Sequence, residues 1–454
     1  MTKPLTIAFL PEAAYGASLN CVAIAQELRD LGHRPVFLCD PGFAGMFRNY
    51  GFEEVVVSLS PLKSEAEIAD FWQRFIDQHR PHFHLPPLQQ IATYEAPAWN
   101  AIVDSAIHAE PALRKALARL KPDAICLDNV VFFPAIAHAG CPWVRIVSCA
   151  ETELPDADVP PYTSGCAAED RGGWDAFRAA YLHELKPVHD RYNAFLVSVG
   201  EAKMVPGAFL QESPWLNLLL TPEPLRYQRR RPLDPSRFAY VGGAVRSEAP
   251  YELPFFPKHN DKPLIYVGFG SLGAADTDLF QRLIETFAGA PYRVLMSVGP
   301  YKDSYEHVPD NVHLEYWYPQ PSVIPQVDLF IHHGGNNSLN EALTFGKPSL
   351  VMPYCWDGHD NAQRVQELGL GQRLPRYDWK GPDLLAAIQA RATRENAQVV
   401  ALCAKMEAEI VQLPAEERAT FYESAGITSP GLAELANAGK KLLKVMTYFT
   451  AGPE

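Results

Sequence analysis

The sequence has no uninterrupted apolar run of the roughly 18 residues that a membrane-spanning helix needs, so a soluble chain is expected. Basic residues are in deficit: 40 Lys and Arg stand against 53 Asp and Glu, giving a formal net charge of -13. That balance argues against nucleic acid or an anionic membrane surface as partner. The eight cysteines, at 21, 39, 126, 141, 149, 166, 355 and 403, include no CxxC pair and no metal-ligand spacing. They are expected as buried small hydrophobes in a reducing cytoplasm, with no metal site. Only Lys3 precedes the apolar run Leu5 to Leu10, which is too short for a signal peptide and reads as a first strand. The turn after it, Pro11 to Gly16, reads PEAAYG and lacks the GxGxxG of dinucleotide enzymes, which counts against a dehydrogenase. Internal repeats and low-complexity tracts are also missing.

A chain of 454 residues is far longer than one ordinary core, so two domains are expected. Leu5 to Leu10, an amphipathic helix over Ser18 to Leu31 and a strand over His33 to Cys39 form a β-α-β opening, which implies a parallel sheet. Prolines in HRPHFHLPP, His79 to Pro87, break a helical stretch and expose a histidine-rich loop, with a further helix from Glu110 to Leu120. The strand Ala124 to Leu127 ends at Asp128, where α/β sheets carry catalytic groups, although a helix cap is the plainer role for such an aspartate. The triplet Arg229 to Arg231 reads as a solvated turn. Ser247 to Pro263, with its prolines and little periodicity, marks a linker. A second β-α opening follows, Leu264 to Val267 and then GFGSLG at Gly268 to Gly273, with backbone N–H groups and the Ser271 hydroxyl available to a phosphate.

The densest chemistry lies between Asp328 and Arg364. A strand ends at His332, His333, Gly334 and Gly335, and a polar NNS leads into a helix. Ser338 and Glu341 have capping-box spacing, which predicts a helix starting at Ser338. Free N–H groups there, behind a glycine pair that permits close approach, suit an anion. A second strand from Ser349 ends at a polar loop holding Asp357, His359, Asp360 and Asn361. Upstream, Trp317 offers a flat face for a base and Gln320 an amide for a base edge or a ribose hydroxyl.

Taken in order, Trp317 to Gln363 resembles the family 1 glycosyltransferases of the GT-B class, and the resemblance extends over essentially the whole chain. It implies an α/β protein of two facing Rossmann-like domains with the nucleotide-sugar site in the cleft. The implied division is an acceptor-binding domain over 1–246, a linker over 247–262, a donor-binding domain over 263–428, and a C-terminal helix over 429–454 crossing back. By the same resemblance Trp317 stacks on the base, usually uracil, with Gln320 beside it. His333, Gly335, Asn337, Ser338 and Ser271 surround the diphosphate, Glu341 binds the ribose hydroxyls and Asp357 the sugar hydroxyls. The implied activity is metal-independent, inverting transfer from a UDP-sugar or dTDP-sugar, with no prosthetic group, to a small natural-product or phenolic acceptor. A monomer or a homodimer fits this pattern.

Two positions depart from the family. Gly358 stands where glutamine usually follows the aspartate, leaving the transferred sugar open. Ala17 stands where a histidine usually deprotonates the acceptor, and no histidine occurs between Met1 and Leu31. The histidine's usual partner survives as Asp128, so Asp128 is expected to act as base, with His82, His84, Glu12 and Glu151 as alternatives. A nucleotide-sugar lyase, hydrolase or epimerase, or a silent nucleotide-sugar-binding partner, are the competing outcomes on this fold.

Overall fold

Our computed structural model describes residues 3–61, 65–394 and Arg418. The first sheet holds β1 (Thr6–Pro11), β2 (Arg34–Cys39), β3 (Glu53–Val56), β4 (Ala124–Asp128), β5 (Trp143–Val147), β6 (Leu216–Leu219) and β7 (Phe238–Tyr240). Its order is β3-β2-β1-β4-β5-β6-β7, parallel throughout. A second parallel sheet, in the order β10-β9-β8-β11-β12-β13, is built from β8 (Leu264–Gly268), β9 (Arg293–Ser297), β10 (Val312–Glu315), β11 (Leu329–His332), β12 (Ser349–Val351) and β13 (Gly371–Arg373). Two parallel sheets, each flanked by helices, are the α/β GT-B arrangement that the sequence implies. Both lie in one compact unit, Met1–Ile388. The second unit, Gln389–Glu454, is described only at the end of the helix Gly381–Arg394 and at Arg418, so the expected crossing helix over 429–454 falls outside the described residues.

Central strands are apolar on both faces because helices cover both. In the first sheet Ala8, Leu10 and Leu127 face Trp99, Val103, Leu113, Val188 and Tyr192, whereas Phe9 and Phe37 face Val22 and Ala25. In the second, Ile265, Val267 and Met296 pack on Leu279, Leu283 and Phe287 of the helix Thr277–Phe287. Asp276 caps that helix, accepting from the Leu279 amide at 3.4 Å.

Several local expectations shift. The helix expected over Ser18 to Leu31 divides into a single turn, Tyr15–Ser18, and the helix Val22–Asp30. The helix expected from Glu110 is the end of a longer one, Ala96–Leu120, which continues through Pro111. An interior proline costs about 3 kcal/mol. Burial of Trp99, Val103, Leu113 and Leu117 along one face, at roughly 1.5–3 kcal/mol each, outweighs it. The histidine-rich segment is only partly the exposed loop expected: it forms a short helical turn, Arg80–His84, with His79 and Phe83 buried, Pro81, His84 and Pro86 exposed, and the His84 ring stacked on Tyr377 at 3.6 Å.

Candidate functional site

Each sheet reverses its strand order once, between β1 and β4 and between β8 and β11. Chains leaving neighbouring strands there run to opposite faces and open a crevice at the carboxyl ends. Pro11 pairs in register with Asp128, and Gly268 with His332. Asp128 therefore ends a switch-point strand, and Ser271 and the run from His333 to Glu341 follow such strands, whereas Trp317 and Gln320 follow β10 and Asp357 follows β12. The turns after β1 and β8, Tyr15–Ser18 and Gly270–Gly273, approach each other. Asn337 Nδ2 closes the contact by donating to the Gly16 carbonyl at 2.9 Å.

On the second-sheet side, the helix Asn336–Thr344 begins two residues earlier than its capping-box spacing predicts, with Gly335 as N-cap and no side-chain cap. Ser338 lies inside the first turn, where its hydroxyl accepts from Gln320 Nε2 at 3.0 Å. Glu341 points away from the helix start, accepting from Gln320 Nε2 and from Arg246 Nη1, the latter at 3.0 Å. The capping function is taken over from another helix: Asp357 Oδ2 accepts from the Asn336 amide at 3.2 Å. A carboxylate at that terminus also meets the positive end of the helix dipole.

His333 packs over both glycine turns. A Cβ on Gly335 would lie 2.4 Å from its Nε2, and one on Gly270, at φ +71°, 3.0 Å from its Cε1. A side chain at either position would displace the imidazole, and at Gly270 the positive φ disfavours one as well. Burial, then the Arg376 charge, holds the His333 pKa down at about 4, and burial takes that of His332 to about 3. Both rings are neutral at physiological pH. His333 Nδ1 has no hydrogen-bond partner. Ser271 and Trp317 are exposed, the latter to 43%.

The segment from Asp357 to Asn361, expected as a loop, is the first turn of the helix Asp357–Glu367. Trp356 precedes it at φ +55°, a strained conformation for a large side chain. Its ring lies 5.7 Å from Trp99, 6.2 Å from Tyr162 and 6.3 Å from Tyr94, all from the first half of the chain. Gly358 has no room for a side chain, because a Cβ would stand 2.6 Å from the His333 carbonyl oxygen. His359 is buried against Gln90, its Nε2 3.2 Å from the amide oxygen. Asp360 accepts from Thr152 Oγ1 at 2.6 Å and from the Thr163 and Gly165 amides at 2.7 Å each, tying the helix to first-half loops.

On the first-sheet side, Asp128 is 1% exposed and its Oδ2 has no hydrogen-bond partner. Burial raises its pKa to about 8; Ser148 and Cys21 pull it down, and Glu12 and Glu153 push it up. Glu12 lines a shallow crevice with Ser18, Asp40 and Phe43, and burial followed by the Glu153 charge takes it to about 7. Glu151, another candidate base, is committed to a buried ion pair with Arg229 at 2.9 Å. The arginine triplet is therefore only partly the solvated turn expected of it. Among the described residues no group of three or more His, Cys, Asp or Glu is placed to hold a metal ion.

Sequence reasoning missed two arginines. Arg376 is buried among Phe269, Tyr354 and Tyr377, with Nε 3.2 Å from Asp276 Oδ2 and Nη2 donating to the Gly273 carbonyl at 3.3 Å. It braces the turn after β8. Arg246 reaches Glu341 from the segment between β7 and β8. Neither carries a sequence signal, since each gains its partner only through long-range packing.

The family described as "Erythromycin biosynthesis protein CIII-like, C-terminal domain" matches residues 295–419. The chain is 24% identical over 421 residues to the NDP-glycosyltransferase YjiC of Bacillus subtilis, covering 92% of this chain and 96% of that protein. It shows the same 24% identity over 422 residues to the oleandomycin glycosyltransferase of Streptomyces antibioticus, covering 92% and 90%. Among solved structures, the kitacinnamycin glycosyltransferase superposes with a TM-score of 0.63 at 21% identity, covering 87% of this chain and 92% of that one. In its two switch points, whose turns meet, and in these relatives the chain is similar to the family 1 glycosyltransferases of the GT-B class and to bacterial natural-product glycosyltransferases.

Proposed function

We propose that the protein moves a sugar, with inversion at the anomeric carbon, from a UDP- or dTDP-linked donor to a small natural-product or phenolic acceptor. The observation that carries this reading is the meeting of the two switch points, with Asn337 of the glycine-turn helix bonded to Gly16 of the first turn. In this reading residues 1–246 bind acceptor and the domain from 263 binds donor. Trp317, exposed beside β10, stacks on the base, and Gln320 and Glu341 take the base edge and the ribose. Ser271, His333, Gly335, Asn337 and Ser338 surround the diphosphate, and Asp357 reaches the sugar hydroxyls.

Asp128 is the base. The acceptor O–H gives its proton to the Asp128 carboxylate as the acceptor oxygen bonds to the anomeric carbon. The bond from that carbon to the phosphate oxygen breaks, and its electron pair leaves on the nucleoside diphosphate. Backbone N–H groups at the start of Asn336–Thr344 stabilise the leaving charge. An unpartnered buried oxygen with a pKa of about 8 supports this role, because a base works best when its pKa lies near the working pH. Free, buried thiols at Cys21, Cys39, Cys126, Cys149 and Cys355 support a cytoplasmic location.

The test is product analysis with UDP- and dTDP-sugars against phenolic and alcohol acceptors. Glycosylated acceptor with inverted configuration supports the reading. An altered or hydrolysed sugar alone, or tight donor binding with no turnover on any acceptor, overturns it.

A further inference from the structure

Arg246 is among the most deeply buried cations among the described residues, with a side chain 6% exposed. Its Nη1 donates to Glu341 Oε1 at 3.0 Å and its Nε to Glu248 Oε1 at 2.7 Å. The Tyr50 hydroxyl, from the first half, donates to the same Glu248 oxygen at 2.7 Å. Glu341 is itself 2% exposed, and its second oxygen accepts from Gln320. The Gln320 amide is braced in turn by the Ser338 hydroxyl at 3.0 Å and the Tyr266 hydroxyl at 3.3 Å.

We infer that Arg246 is a positioning residue for the nucleotide: it keeps Glu341 ionised inside the fold, so that both oxygens stay acceptors for the two ribose hydroxyls. The inference rests on the proposed assignment of Glu341 to the ribose. A carboxyl removed from water neutralises itself unless a cation stands beside it. Once protonated, it can no longer accept from two O–H groups at full strength. The groups facing Glu341 are Arg246, Glu248, Gln320, Ser338 and Tyr266, with Tyr50 acting through Glu248. Arg246 is the single cation of that set. Burial pushes the Glu341 pKa up, Arg246 and Gln320 pull it back, and Glu248 adds to the upward push. Removing the guanidinium leaves two carboxyls and no positive charge, and the Glu341 proton then persists to higher pH.

UDP titration by calorimetry from about pH 6 to about pH 8.5 tests this, spanning the range a raised carboxyl pKa reaches. Arg246→Ala is expected to bind UDP about tenfold more weakly at the low end and to recover toward wild type at the high end. Arg246→Lys retains a charge and is expected to keep the wild-type pH profile, which also serves if the alanine variant fails to fold: a lysine variant with wild-type affinity and profile supports the role of charge, and a folded one with pH-independent weak binding overturns it. An Arg246→Ala affinity equal to wild type, or reduced by one factor at every pH, overturns the inference. Glu341→Gln separates the two readings: weakened UDP binding at all pH values upholds Glu341 as the ribose acceptor whatever Arg246 does, and unchanged binding overturns that assignment and the inference with it.

Discussion

Asn337 donates from Nδ2 to the backbone carbonyl of Gly16 at 2.9 Å, across 321 positions of sequence. One side chain thereby links the glycine-turn helix to the turn that carries Ala17, so the proposed donor-binding and acceptor-binding surfaces register against each other. Asn337→Ala removes both this link and a proposed diphosphate contact. Expected are a loss of about 1 kcal/mol of stability and UDP binding weakened about tenfold. Thermal unfolding and calorimetry check the two effects, and unchanged UDP affinity would remove Asn337 from the donor site.

Asp128→Asn separates chemistry from stability. The folded pKa of about 8 stands above the ordinary carboxyl value of 3.8, so the native state holds a proton that the unfolded chain releases between these limits. The stability this group contributes is present below the lower value and is lost as pH rises through the upper one. Activity runs the other way, rising as Asp128 ionises toward pH 8. The asparagine variant is expected to lose about 10²–10⁴-fold in kcat, yet to melt higher than wild type at alkaline pH. Rate–pH profiles and melting curves decide; unchanged kcat with normal donor binding excludes Asp128 as base.

Gly335→Ala places a methyl 2.4 Å from His333 Nε2. The imidazole must move, and UDP affinity is expected to fall by about tenfold or more, with a lower melting temperature from the overpacking. Donor affinity equal to wild type would argue that His333 has no part in binding the diphosphate. Because both rings are already neutral, with pKa values of about 3 and 4, lowering the pH to about 5.5 is expected to leave this interaction unchanged.

Gly358→Gln restores the residue common in the family, but its Cβ would meet the His333 carbonyl at 2.6 Å. The expected outcome is destabilisation of about 1–3 kcal/mol from overpacking, with no gain in donor affinity. A stable variant with tighter sugar-nucleotide binding would mean that the backbone yields more easily than this contact implies. The glycine is thus tied to the close approach of two chain segments.

The sequence made the strands legible because central parallel strands are apolar on both faces, as in Leu5 to Leu10 and Leu264 to Val267. It misread the start of the helix at Asn336 because Ser338 and Glu341 have capping spacing whichever partners they find. Their partners, Gln320 and Arg246, are distant in sequence, and the terminus is capped by Asp357 from another helix. The polar run Asp357 to Asn361 reads as a loop for a similar reason: its side chains bond across the fold, to Asn336, Gly334, Thr152 and Gln90. Pattern alone registers neighbours, and these residues have theirs elsewhere.

Trp356 sits at a strained backbone position on the second-sheet side while its ring rests among Trp99, Tyr94 and Tyr162 of the first half. Any opening of the cleft that admits substrate would move this indole from an aromatic surround toward water. Its emission would then shift to longer wavelength without an attached dye. With eight tryptophans in the chain, the part of that shift abolished by Trp356→Phe is the optical gauge of how far the halves stand apart, readable in stopped flow as donor and acceptor arrive.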